Sequence, residues 1–343
     1  MAGRSKMART GNRFTRIVTY AALVVLGTAF TLPFFWMLST SLKPAARIQQ
    51  WPPDIIPMMP VQVKIDGQNR EVYRAKGGAE VALIERLKGG MARVKPVNDA
   101  RAGARIVSAD ALIPKIHPGF EWSNYSRGLV FIPFFAELRN TVIISLFSVL
   151  GTILSCSLVA YGLAKIDWKG RNVLFVIILS TMMLPAQVTM IPVFAIFVKL
   201  HWVDTFLPLI VPTFLGTPFF IFLLRQFFLG IPRELSEAAK LDGCNEFAIY
   251  RRVVMPLSKP ALATVGLFTF MGAWNDFLNP LIYLLDESKY TLSLGLAMFT
   301  GQYGNEYGML MAVSAVFTLP IIVLFFFTQR TFIQGMTMSG IKG

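Results

Sequence analysis

The sequence predicts an all-α polytopic membrane protein with six transmembrane helices and a small extracytoplasmic α/β insert. Three observations carry that prediction. The 343 residues are 54% hydrophobic and only 15% charged, against about 25% charged in a soluble domain. Six apolar runs are long enough to cross roughly 30 Å of hydrocarbon: Ile17–Leu38, Asn140–Ala164, Asn172–Val198, Thr205–Leu224, Pro260–Leu285 (interrupted by Asp276) and Tyr307–Gln329. Between the first two lies a long polar stretch with strand-like alternation.

Each run is read as a helix, because lipid offers no partner to an open backbone N–H or C=O. The expected organisation is a tail over 1–16, a first span over 17–38 and an outer loop over 39–139. A core with five spans follows over 140–330, and then a tail over 331–343. The first span is too long for a signal-peptide core, and no small-x-small site follows Pro33–Leu38, so it reads as a retained anchor.

Six spans place both termini on one side, and charge says which. Arg4, Lys6, Arg9, Arg13 and Arg16 precede the first span, and Lys165, Lys169 and Arg171 follow the second. Arg233, Lys240, Arg251, Arg252 and Lys259 lie between the fourth and fifth. The short loops 199–204 and 286–306 hold one lysine each. The positive-inside rule therefore puts both termini and the 231–260 loop in the cytoplasm. The net charge of +14 follows from these flanks and a basic outer loop; no nucleic-acid partner is expected.

The outer loop opens on Trp51-Pro52-Pro53-Asp54 and closes on Trp122-Ser123-Asn124-Tyr125, with an insert over about 58–117. Val61, Val63 and Ile65 alternate with polar residues before Asp66-Gly67, and Glu71–Arg74 follows, which predicts a hairpin. Ala79–Lys88 is expected to be a short helix, and Met91–Val97 and Arg105–Ser108 further strands.

Two later spans carry polar groups and breakers. Pro185 and Pro192 flank Gln187 in the third, and such kinks often line a pathway. In the fifth, Trp274, Asn275, Asp276 and Asn279 bring a carboxylate, two amides and an indole into an apolar run. Charge at that depth usually faces a cavity or a partner. Gln187 and these four residues are the candidates for a substrate path; the competing reading of the fifth-span group is that it holds helices together.

The stretch 234–260 is a charged island between apolar runs. Leu235, Ala238, Ala239 and Leu241 give a short amphipathic helix that Asp242-Gly243 stops. Asn245 caps a second helix with Phe247, Ile249, Tyr250 and Val253 on its apolar side, which Pro256 breaks.

This stretch resembles the EAA loop of binding-protein-dependent ABC-importer permeases: Glu237-Ala238-Ala239, then Gly243, then Val253, Met255 and Pro256. Val and Met stand where the family has Ile and Leu. The Asn-Tyr motif, Met183–Pro192, Trp202–Thr205, the Trp-Asn-Asp segment and the C-terminal Gly335–Gly343 are similar to the MalG type of carbohydrate permease. The resemblance implies that Glu237, Ala238, Ala239, Asp242, Gly243, Val253, Met255 and Pro256 form a coupling loop docked on a cytoplasmic ATPase dimer. It also implies a second, MalF-like permease (a homodimer is the alternative), an extracytoplasmic solute-binding protein, and a multi-pass location in a bacterial inner membrane.

No Walker lysine loop and no Gly-x-Ser-x-Gly elbow occurs, so no catalytic residue, metal site or resident cofactor is expected; ATP would be bound by the partner. A polyol or glycerol-phosphate cargo stays open. So does an ion-coupled transporter, although it would need more intramembrane ionisable groups than Asp276. In a cysteine-labelling experiment, positions within 58–117 should react only from outside and positions within 234–260 only from the cytoplasm. Labelling of the insert from the cytoplasm would overturn the orientation.

Overall fold

The computed structural model describes residues 3–98, 102–301 and 304–337 and is mostly helical. It forms two compact units, Met1–Gly128 with Gln302–Ala315, and Leu129–Gly301 with Val316–Gly343.

In the first unit, α1 runs unbroken over Gly3–Ser41, so 3–16, expected as a tail, is helical. A short α2 (Ala45–Ile48) follows. At the other end of the outer loop, α3 begins at Ser123 and runs to Phe131. The two ends of the loop are tied together by Asn124, whose Nδ2 donates to the carbonyls of Ser41 and Lys43, both at 2.9 Å. The Ser41 hydroxyl meets the Tyr125 hydroxyl at 2.9 Å, and Glu121 N–H donates to the Leu42 carbonyl at 2.9 Å. These groups are mostly buried, where an unmade hydrogen bond is expensive. The Asn-Tyr motif is thus a latch.

Beyond the latch, β1 (Met58–Pro60) pairs antiparallel with β8 (Ile116–Pro118) to make a two-stranded stalk. The stalk carries a sheet of β2 (Gln62–Ile65), β3 (Gln68–Ala75), β4 (Glu80–Leu87), β5 (Met91–Pro96) and β6 (Arg105–Ser108) in that order, with β7 (Leu112–Pro114) also on β3. Asp66 and Gly67 both take positive φ, 52° and 79°, as a two-residue hairpin requires. Tyr73, Val81, Ala92 and Val94 form the small core.

The helix expected over Ala79–Lys88 is instead β4. Its helix-compatible residues are overridden by two flanking strands that pair with it and by Val81 and Leu83 facing the core. Among the described residues the insert is therefore a β structure with one 3₁₀ turn, Ala109–Ala111, rather than α/β.

The second unit is built around α4 (Phe134–Ala164). It packs against α12 (Lys259–Trp274), α8 (Pro218–Leu229) and the turn Val211–Leu215. Close approach depends on Gly151, where a Cβ would overlap Thr213 and Phe214. At the other end of α4, Asn140 Nδ2 donates to the carbonyls of Ser288 and Tyr290 at 2.9 and 3.0 Å. Thr141 Oγ1 accepts from Leu292 N–H at 2.9 Å. Leu292 opens α14 (Leu292–Ala297), and Gly295 there leaves the room that the Glu137 carboxyl occupies.

Among the described residues, four helices are long and apolar enough to span a membrane: Thr15–Ser41, Phe134–Ala164, Leu207–Leu229 and Tyr307–Gln329. The last lies in α15 (Tyr307–Thr337), which continues into the expected C-terminal tail; 338–343 lie outside the described residues. The third expected span is not one kinked helix. α5 (Arg171–Thr181) and α6 (Ala186–Lys199) meet at 96°. Pro185 sits in the extended conformation just before α6, having no N–H to carry the ladder on, whereas Pro192 lies within α6. The fifth expected span also stops early, at Trp274, and α13 (Leu278–Tyr283) follows after a gap.

Because Pro60 and Ile116 are cross-strand partners, replacing 61–115 by a two-residue Asn-Gly turn should leave a closed hairpin. The shortened chain is expected to insert in the membrane and elute as a single species in detergent. Aggregation would show that the insert is integral to the fold.

Candidate functional site

The charged island folds into α9 (Arg233–Leu241), a turn, and α10 (Glu246–Ile249). Gly243 has φ +79°. Its N–H donates to the Lys240 carbonyl at 3.0 Å and Cys244 N–H to the Ala239 carbonyl at 2.9 Å, the paired bonds of a Schellman motif. Asn245 Oδ1 accepts from Ala248 N–H at 2.8 Å and so caps α10.

Beyond α10 the helix widens into a π turn over Tyr250–Val254 and continues as α11 (Met255–Leu257). Pro256 therefore lies inside a helical turn instead of breaking it. It cannot donate to the Arg252 carbonyl, and the wider turn accommodates that loss. The expected apolar side is also rotated. Ile249, Tyr250 and Val254 are buried, Val253 is only half-buried, and Phe247 is 64% exposed. On α9, Ala239 is buried but Leu235 and Leu241 are 44% and 90% exposed.

The loop is not a loose appendage. Ala239, Ile249, Tyr250 and Val254 share one core with Tyr161 and Ala164 of α4, Phe228 of α8 and Val265 of α12. Polar bonds reinforce it. Tyr161 OH donates to Glu246 Oε2 at 2.6 Å, the Ser157 and Tyr250 hydroxyls are 2.7 Å apart, and Lys165 Nζ donates to the Ile231 carbonyl at 2.6 Å. Glu246 Oε1 also meets Lys240 Nζ at 2.7 Å, and this hydrogen bond holds the ammonium above its ordinary range. Sequence reading missed Ser157, Tyr161 and Glu246. A signal was present: Ser157 and Tyr161, like Glu246 and Tyr250, are four apart and so share a helix face.

Glu237, Ala238, Asp242, Gly243 and Pro256 remain exposed, and Met255 is half-buried. With Leu235, Leu241 and Phe247 they present a mixed apolar and charged surface.

The five path candidates are not brought together. Gln187 is exposed on α6. Trp274, expected beside a path, is 1% exposed; its Nε1–H donates to the Phe317 carbonyl at 3.3 Å and its ring packs on Phe270 and Phe317. It is a packing residue in this unit. Asn275 follows the end of α12 and donates to the Met271 carbonyl at 2.8 Å. Asp276 accepts from the N–H and side-chain amide of Asn279 at 3.2 and 2.8 Å. The carboxylate is satisfied locally by a helix start.

Residues 148–337 match the family of binding-protein-dependent transport system inner membrane components. The chain belongs to this family. This permease is a subunit of an ATP-binding-cassette importer and not an enzyme. It is 41% identical over 210 residues to the arabinooligosaccharides transport system permease protein of Bacillus subtilis, a match covering 61% of this chain and 74% of that one. It is 32% identical over 225 residues to the trehalose/maltose transport system permease protein of Thermococcus litoralis, covering 64% and 81%. Its fold resembles a chain of a bacterial ABC transporter involved in alginate import, with TM-score 0.66, 23% identity, and coverage of 93% and 97%.

One further element of the permease is charged and sharply defined. Asp204, at φ +63°, accepts from the N–H groups of Leu285 and Asp286 at 3.0 Å and from Lys289 Nζ at 2.5 Å. The Lys289 bond, then those two N–H groups, hold its carboxyl down at about 2. A depressed carboxylate stabilises the fold above its unfolded value, about 3.9, and the benefit is lost as pH falls through the folded value. Asp204→Asn should therefore lower the melting temperature of the purified permease at pH 7 by a few degrees. It should also flatten the loss that the parent shows between pH 4 and 2. An unchanged melting curve at both ends would remove Asp204 from the fold's supports.

Proposed function

We propose that this permease forms one half of the translocation pore for a sugar or oligosaccharide, working by alternating access. The cargo reading rests on the named transport systems of its relatives, which carry arabinooligosaccharides in one case and trehalose or maltose in another. Its partners in this reading are a cytoplasmic ATPase dimer, a second MalF-like permease and an extracytoplasmic solute-binding protein. It needs no cofactor of its own, since nucleotide is held by the ATPase. Six spans, counting each bent pair as one, carry both termini and the 231–260 loop on the cytoplasmic side and the β insert outside.

The observation that carries the mechanism is the double character of α9 and α10. Their outer surface leaves Leu235, Leu241 and Phe247 in the open, an apolar cluster rimmed by Glu237, Asp242 and Arg251 that fits a protein partner. Their inner surface is fused to the end of α4 by the Tyr161–Glu246 and Ser157–Tyr250 bonds. A displacement of the loop by ATP-driven closure is passed to α4 as a rigid body. Gln187, Asn275, Asp276 and Asn279 remain the polar candidates for the path, at or near helix breaks; Trp274 supports the helices around them.

The test is substrate-stimulated ATP hydrolysis in the reconstituted importer. Nothing lies within 4 Å of a Cβ at Gly243, so Gly243→Ala meets only the left-handed backbone penalty of about 1–2 kcal/mol and should retain most stimulation. Gly243→Asp adds charge to the docked turn and should abolish stimulation while the protein stays in the membrane. Tyr161→Phe, which removes one of the bonds that tie the loop to α4, should weaken stimulation several-fold with ATPase binding intact. Normal stimulation in Gly243→Asp would mean that this loop does not couple.

A further inference from the structure

The insert carries an open cavity of about 340 Å³ between the core face of its sheet and α2. Ala92 and Leu112 are among its apolar lining residues. One wall is polar. Tyr73 OH donates to Glu71 Oε2 at 2.9 Å, and Arg86 flanks the same hydroxyl. Burial holds the Tyr73 phenol above its ordinary range, so it stays a hydroxyl. The opposite wall is α2 and the turn after it, which contribute Arg47 and Gln50.

Arg86 faces this cavity because the β4–β5 register shifts between Leu83 and Glu85. Leu83 is paired with Val94 and Arg86 with Ala92, so one extra residue separates two positions on the same face. Without the bulge, strict alternation would put Glu85 inside and Arg86 outside. Bulges of this kind re-aim a side chain at binding sites. The break in the ladder puts the exposed Arg86 guanidinium on the cavity side of the sheet.

Charge narrows the ligand. Arg47 is neutralised by Asp54, at 2.6 Å. Arg86 shares the cavity lining with two carboxylates, Glu71 and Asp110. The walls thus hold no surplus of positive charge and would repel a second carboxylate. They offer paired donors and acceptors beside apolar lining residues, the combination that a ring with hydroxyl groups on its edge and C–H groups on its face demands. The volume is at the small end of ligand sites.

We propose that the insert binds a neutral saccharide of mono- or disaccharide size in this cavity. The inference rests on the reading that the insert lies outside the membrane in a sugar importer. It adds a second sugar site, on the permease's own outer domain, to that reading.

The experiment uses the full-length permease in detergent, without the solute-binding protein, and saturation-transfer NMR titrations. The probes are arabinobiose, maltose and trehalose, with digalacturonate as the acidic control. At least one neutral disaccharide should bind at millimolar concentration or below, and digalacturonate should not. Arg86→Ala removes the cavity-side donor and should weaken binding about tenfold or more, the loss of one hydrogen bond to a charged group. Gln50→Trp fills the cavity from an exposed position just after α2, outside the sheet, and should abolish binding in a protein whose fold is unaltered. The inference is overturned if no neutral disaccharide binds, if the acidic probe binds better, or if binding survives both variants. Transport in proteoliposomes with the binding protein separates the two failures. Sugar transport without a site in the insert sinks only this inference, whereas failure of the importer to move any sugar sinks the reading beneath it.

Discussion

Two hydrogen bonds at one end of α4 are what the rest of the second unit depends on. Tyr161 reaches Glu246 and Ser157 reaches Tyr250, both across a packed interface where a lost partner would leave a polar group stranded. They decide that the charged island behaves as part of the helical core. At its other end α4 holds the 288–292 backbone through Asn140 and Thr141. One helix is therefore bonded at both extremes, with Gly151 allowing close packing between them. Such an element ties the charged island to the 288–292 backbone through one continuous helix.

What could be read in the sequence was what local chemistry dictates. Asp66-Gly67 and Asn245 act within a few residues of themselves, so their turn and cap needed no knowledge of neighbours. The apolar runs were legible for the same reason, since length and composition alone set whether a helix can span lipid. The strand β4 was not legible. Its residues suit a helix, and only pairing on both edges makes it extended. The sequence left Trp274 between a path and a helix-holding role, because its surroundings come from Phe317, far along the chain. Periodicity failed over Tyr250–Val254, where the π turn moves the buried stripe from a spacing of four to a spacing of five, Ile249 to Val254.

The breaks in the third and fifth runs share a cause. Pro185 and the Asn275–Phe277 gap sit where backbone groups leave the helical ladder. In a bilayer such groups persist only when protein or water satisfies them. Asp276 and Asn279 do this for the fifth run through their own short-range bonds, so the carboxylate that looked like a transport group also has a structural duty.

The stalk under the insert has a mechanical consequence. A pair of strands resists stretching along its length, because both backbones are already extended and a pull from the tip runs along the two covalent chains in parallel. That load reaches the latch, where Asn124 grips the backbone at Ser41 and Lys43. Anything that seizes the insert is thereby coupled to the end of α1 through β8 and the short run from Gly119 to Asn124, which bypasses the irregular segment 49–57. A grip on the insert becomes traction on α1.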